Sequence, residues 1–188
     1  MSPADAVALL ATLTLLALLA ALVVIYNGLV NLRNDCERAW SNVEVLLKQR
    51  YEELPNLVSV CREGMKHENE TLARVTDARS AGIRARGPAE SSLLEARTTG
   101  AVDRLLALAE NYPALVASEG FLRLQARITG LESEIADRRE YFNDCVNNYN
   151  TRIEQLPDII LARMLGYRRK PLFRIPPAER KPPPARAA

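Results

Sequence analysis

The feature that most constrains this chain is the run from Ala6 to Ile25, which contains neither a charged residue nor a proline. About twenty residues in a helix rise roughly 30 Å, the thickness of one bilayer core. Thr12 and Thr14 do not spoil it, because a helical hydroxyl can bond a carbonyl of the preceding turn. A cleaved signal peptide would carry a basic leader and a shorter apolar stretch, and residues 1–5 contain no Lys or Arg. The run therefore reads as a transmembrane helix, with Tyr26 at the depth where an amphipathic ring is favoured. No cation precedes the run, whereas Arg33 and Arg38 follow it closely. That asymmetry places a single-pass protein in the cell (inner) membrane, with the N-terminus outside and the remainder cytoplasmic.

Beyond the anchor, apolar residues recur at steps of three and four. The first series is Leu29, Leu32, Cys36, Ala39, Val43, Leu46, followed by Leu54, Leu57, Cys61, Met65, Leu72 and Val75. Another uses Leu94, Ala101, Leu105, Leu108 and Tyr112. The last runs Phe121, Leu124, Ile128, Leu131, Ile135, Arg138, Phe142, Cys145, Tyr149, Ile153. This is the period of helices with one buried face, not of strands. Gly87-Pro88 and Tyr112-Pro113 punctuate the segments, and Ser118 is placed to cap the last one, with Glu119 in its first turn.

Pro55 decides the topology, since it lacks the donor for the helical ladder and disfavours helical geometry at Leu54. The seam stays in register across it, which fits a kink. Length favours a reversal: an unbroken helix from Tyr26 to Ile83 would extend roughly 85 Å, against roughly 37 Å for residues 88–112. The expected fold is all-α, a transmembrane helix followed by an antiparallel, coiled-coil-like bundle of long helices. Four up-down helices at 27–51, 55–83, 89–111 and 118–155 bury every stripe. Three parts follow: residues 1–25 as N-terminal segment and anchor, 26–167 as helical bundle, and 168–188 as a basic, proline-rich disordered tail. That topology would bring Asn27, Asn31 and Asn34 near Asn143, Asn147 and Asn150, two triplets of equal spacing whose amides need partners if buried, although two solvated faces account for the same spacing equally well.

The formal net charge of +2 hides an uneven distribution. From Arg168 onward seven cations face only Glu179, leaving 18 cations against 22 anions before it. The tail therefore suits anionic lipid at the bilayer surface, or plain solubility, or a docking motif for a protein partner. Nucleic acid is a poor fit, since no aromatic rings are interleaved with the charge. Leu156 to Leu165, just before it, read as a short apolar helix that caps the bundle or lies in the membrane interface. Cys36, Cys61 and Cys145 are odd in number, have no paired spacing and fall on apolar stripes, which argues for free thiols over disulfides or zinc.

The order of words along the body resembles the LemA family: YNGLVNLRN, AWSNVEVLLKQRYEELPNLV, KHENE, VTDAR, AENYPAL, FLRLQ, and YFNDCVNNYN with its trailing LP. The resemblance spans residues 26 to about 175 and rests on the joint order of these words. It implies a single-pass membrane protein with a helical-bundle body, in a family with a magnetosome-associated branch and no general enzymatic reaction. Departures are small: Phe142-Asn143 replaces a Tyr-Asn word, and Cys61 stands where an aliphatic or small residue is expected.

No constellation for catalysis emerges. His67 is the sole histidine, and no strand-to-helix nucleophile elbow accompanies it. Glu63, His67 and Glu70 would share a face of one helix and could hold a metal, but a solvated, ion-paired face with Arg62, Lys66, Glu68 and Arg74 accounts for the same spacing. No catalytic, cofactor-binding or metal residues are assigned, and no cofactor is expected. Trp40 reads as bundle core, Arg50 and Arg138 as seam cations that either reach carboxylates across the bundle or pack through their stems with wet heads, the latter being the default, and Arg79, Arg84 and Arg86 as charges suited to a helix C-terminus. The sequence thus describes a membrane-anchored scaffold or interaction protein of the cell envelope. It would touch lipid through its first helix and other membrane or envelope proteins through its body. The alternatives are a metal-dependent or lipid-acting enzyme around Glu63, His67 and Glu70, and a peripheral membrane-remodelling factor.

Overall fold

The apolar seam that continues through Pro55 is followed by a helix that also continues. In the computed structural model, which describes residues 3–174, helix α1 runs unbroken over Pro3–Gly64. The expected reversal at Glu52–Pro55 is therefore wrong. Pro55 lies on the exposed face, so its ring meets solvent and not a packed neighbour. Its missing N–H would orphan the carbonyl of Tyr51 four residues earlier. That carbonyl instead accepts from Arg79 Nε at 2.8 Å. A residue in the next helix supplies the donor that the proline lacks, and this compensation keeps α1 helical.

The chain turns back at residues 65–68 instead. Met65 is fully buried, and its N–H still bonds the carbonyl of Cys61 at 2.8 Å. Then follow α2 (Asn69–Arg84), α3 (Gly87–Ala109), the single turn α4 (Pro113–Val116), α5 (Glu119–Arg152) and α6 (Asp158–Met164). Gly87 adopts φ +72°, a left-handed conformation that costs glycine little, and Pro88 opens α3 behind it. Ser118 caps α5 as its position suggests, its Oγ accepting from the N–H of Phe121 at 3.3 Å. Among the described residues there is no strand.

The helices contribute to two compact units. One joins Trp40–Asn143 with Pro171–Ala188. Here the later part of α1, then α2, α3 and α5 run up, down, up, down. Tyr51 meets Arg79 and Arg50 meets Thr99, while α1's Glu53 pairs with Arg127 at 3.7 Å. The up-down arrangement expected from the seams is present, with its first turn displaced to residues 65–68. Leu54, Leu57, Cys61, Leu72, Val75, Val102, Leu105, Ile128 and Leu131 form its core. Helix α3 differs from expectation. Its inward face carries Ser91, Ser92, Glu95, Thr98, Val102, Leu105 and Ala109, whereas Leu94, Ala101 and Leu108 are only half-buried.

The other unit joins Met1–Ala39 with Asp144–Lys170. Its α1 segment is exposed from Val7 to Val24, and Thr12 and Thr14 donate to carbonyls of their own helix at 2.8 Å. No hydroxyl donor in this run is left for hydrocarbon to accommodate. Leu29 is the first buried residue of α1 among those described, and Cys36, Val146, Tyr149 and Ile153 pack in the same unit.

Candidate functional site

Two polar clusters stand out, one inside each unit. The first is built on Arg50, which the seam of α1 places at a core position between Leu47 and Leu54; it is 1% exposed. A buried cation needs carboxylates, and two helices bring them. Nη1 donates to Glu95 of α3 and, at 3.1 Å, to Thr99 Oγ1; Nη2 donates to Glu132 of α5 at 2.5 Å. One guanidinium thus ties three helices together. Tyr51 beside it donates its hydroxyl to Glu95 at 3.3 Å. Burial first, and then the Glu95 carboxylate, push that phenol well above its ordinary range. The Tyr51 ring fills the space over Gly82, where a Cβ would come within 2.4 Å of it. Among the described buried side-chain nitrogens and oxygens, Arg50 Nε alone has no partner. The cluster's evident work is to specify which helices meet, and in which register.

The second cluster lies where α5 and the chain following α6 meet α1 near the apolar run. Arg33 donates to Glu37 at 3.0 Å and holds that carboxyl below the usual carboxylate range. Lys170 Nζ lies 3.5 Å from the same carboxylate and 5.7 Å from the centre of the Tyr149 ring. Tyr149 donates to the carbonyl of Arg168 at 3.0 Å, and Tyr167 packs on its ring at 6.3 Å. Arg169 pairs with Glu154 at 3.1 Å, and Arg152 Nε donates to the buried Asp158 at 2.9 Å.

The asparagines of α5 have partners other than those expected. Asn150 donates to the carbonyl of Lys170 at 3.0 Å and accepts from its N–H at 2.9 Å. Asn143 does the same with Phe173, at 3.0 and 2.9 Å. Each amide reads both backbone groups of one residue, as a neighbouring strand would. Seven residues of helix rise roughly 10.5 Å and three extended residues span roughly 10 Å, so one helix face can clamp this segment twice. Phe173 is buried, and Trp40 packs between it and Phe142, with centroids at 6.0 and 5.4 Å. The expected mutual pairing with Asn27, Asn31 and Asn34 is replaced by these bonds. Asn27 and Asn31 are exposed on α1. Residues 168–174, expected as the start of a disordered tail, are held in place by these clamps. The remainder of that expectation falls on residues 175–188, outside the described ones.

Glu63, His67 and Glu70 do not share a helix face. The turn at 65–68 falls between them, with Glu63 in the last turn of α1 and Glu70 in the first turn of α2, and all three are exposed. Glu70 accepts from Arg74 at 2.6 Å, which lowers its pKa, and Glu68 accepts from Tyr112 at 3.2 Å. Among the described residues, no group of three or more His, Cys, Asp or Glu side chains is disposed to hold a metal. The three thiols are free; burial pushes Cys36 and Cys61 up to about 11. Arg138 is exposed, unlike Arg50. Glu95 and Glu132 went unrecognised in the sequence, although a cation on a core seam already required carboxylates on facing helices, and Arg79, expected only as a helix C-terminal charge, instead serves the Tyr51 carbonyl.

An apolar first helix running into a bundle cross-linked by buried polar contacts defines the class: a membrane-associated, all-α protein. The chain belongs to the LemA family, whose model matches residues 39–186. It is similar to the magnetosome protein MamQ 2 of Paramagnetospirillum magneticum, 26% identical over 202 aligned residues that cover 94% of this chain and 74% of the relative. The magnetosome protein MamQ of Magnetospirillum gryphiswaldense is 25% identical over the same shares.

Proposed function

We propose that this protein is a membrane-anchored helical scaffold that recruits or organises other components of the cell envelope. The observation that carries the reading is α1, one helix whose exposed apolar run, uncharged from Ala6 to Ile25, leads without a break into a core element of the bundle. Such a helix joins membrane to body with no loop between them, which suits a structural role. Arg50 is committed to Glu95 and Glu132, and the exposed His67 belongs to no cluster of potential ligands among the described residues. Similarity to magnetosome proteins supports the same reading. The cations after the anchor support an outside N-terminus and a cytoplasmic body.

The test is cross-linking of the full chain in native membranes, followed by purification against an unrelated single-pass helical bundle. A reproducible set of membrane or envelope proteins specific to this chain is expected; identical sets from the two baits would refute the scaffold. For sidedness, a cysteine replacing Ser2 should react with an impermeant maleimide in intact cells. Protection of that cysteine until the cells are permeabilised would reverse the topology.

A further inference from the structure

Helix α6 and the turn before it present an apolar row to the outside of the unit that contains the apolar run of α1. Leu156, Ile160 and Met164 follow one another at four-residue steps and are 78%, 60% and 79% exposed. The opposite face points inward: Asp158 and Ala162, also four apart, are buried, and Asp158 is held by Arg152. A helix covered only by water would turn these faces the other way. An uncovered large apolar row marks a contact surface.

Its position along the anchor identifies what covers it. Through Lys170, Tyr149 is level with Glu37 of α1. From there α5 continues to Arg152, roughly 5 Å closer to the apolar run. On the return, Tyr167 packs on Tyr149 again, so residues 153–166 project past the end of α5 on the anchor side. On α1 itself, Leu29, the first buried residue among those described, stands only four positions after Ile25, the last of the uncharged run, a rise of roughly 6 Å. The row therefore lies on the anchor side of Glu37, along the roughly 18 Å of α1 that lead from Glu37 back to Ile25. Arg163, Arg168 and Arg169 flank it, all exposed.

We infer that α6 is a foot resting in the membrane interface, with Leu156, Ile160 and Met164 seated among upper acyl chains and Arg163 and Arg168 meeting anionic lipid headgroups. The inference rests on the anchor reading above. Lipid is the occupant because the row continues the apolar surface of the anchor within one unit. The adjoining cations complement an anionic leaflet, and a second copy of this chain would present the same cations.

The full chain is reconstituted in phosphatidylcholine–phosphatidylglycerol vesicles, with the sole tryptophan, Trp40, as baseline. Ile160→Trp and Met164→Trp add a reporter at exposed positions where folding is undisturbed, and far-UV circular dichroism verifies this. Both should be quenched by lipids brominated on upper acyl carbons about twofold or more above baseline, and little by iodide. Adding Arg163→Gln and Arg168→Gln should weaken that quenching; no change would remove the headgroup contacts. Iodide-accessible reporters in chains that float with the vesicles would overturn the foot alone. Reporters shielded from both iodide and bromine would show a protein cover and overturn it too. A chain that fails to float would overturn the anchor and the foot together.

Discussion

Helix α1 survives Pro55 because Arg79 donates to the carbonyl that the proline leaves unpaired, and this can be tested by a double-mutant cycle. Arg79→Met keeps most of the apolar stem and deletes the donor. A hydrogen bond from a charged group contributes about 1.5–3 kcal/mol, and a buried carbonyl left without one costs about 1–3 kcal/mol. Arg79 is half-buried, so the lower part of the range applies, about 2 kcal/mol. For a chain of this length that is a fall of about 4–8 °C in Tm. Pro55→Ala restores the N–H four residues after Tyr51 and should itself raise Tm, since an internal proline costs a helix about 3 kcal/mol, part of which Arg79 already offsets. In the Pro55→Ala background the Tyr51 carbonyl has its helical partner. Arg79→Met should then cost about 0.5–1 kcal/mol, leaving a coupling of about 1 kcal/mol. Thermal unfolding of the full chain in detergent, followed by far-UV circular dichroism across the four proteins, measures this. Equal losses from Arg79→Met in both backgrounds would refute the reasoning, because Arg79 would then act through charge or packing unrelated to Pro55.

Other outcomes follow from the same packing. Arg50→Met leaves Glu95 buried without its cation and should cost about 3–5 kcal/mol, whereas Arg50→Met with Glu95→Leu should recover most of it; a double variant no better than the single one would contradict that account. Asn150→Ala removes both bonds to Lys170, about 1 kcal/mol each, and trypsin should cut after Arg169 at least about tenfold faster, with Asn150→Asp intermediate because it keeps the acceptor. Unchanged cleavage would mean that Phe173 alone anchors the segment. The folded chain retains the Cys36 and Cys61 protons up to about 11, while the unfolded chain releases them near 9. Their contribution to stability is therefore full below pH 9 and lost as the pH rises through 11. Cys61→Ala should make that alkaline decline shallower in chemical denaturation, and an unaltered slope would count against burial as its cause.

The anchor and the seams of α1 and α5 were legible because each depends on near-neighbour spacing: an uncharged run for the bilayer, and steps of three and four for a packed face. Pro55 misled because the proline rule is local and its remedy, Arg79, stands twenty-four residues away on another helix. The face of α3 misled for the opposite reason. Periodicity selects aliphatic residues, yet Arg50 obliges the inward side to carry Glu95, with Thr98 beside it, so Leu94 and Leu108 drift outward. The equal spacing of the asparagine triplets was real, but spacing cannot say whether an amide will meet another amide or a backbone. The polar hub was half visible, through a cation on a core seam, and its carboxylates could be chosen only once the helices were in place.

The short interval between Ile25 and Leu29 sets an angle as well as a distance. Each helical residue turns its neighbour by about 100°, so these positions fix which side of the anchor stands above α6. Adding a single alanine there would raise the anchor only slightly but swing its faces about a quarter of a turn around the axis. A neighbouring transmembrane helix that grips one side of the anchor would then find α6 on the wrong side. The number of residues in the interval, more than their identity, therefore sets which way the anchor faces.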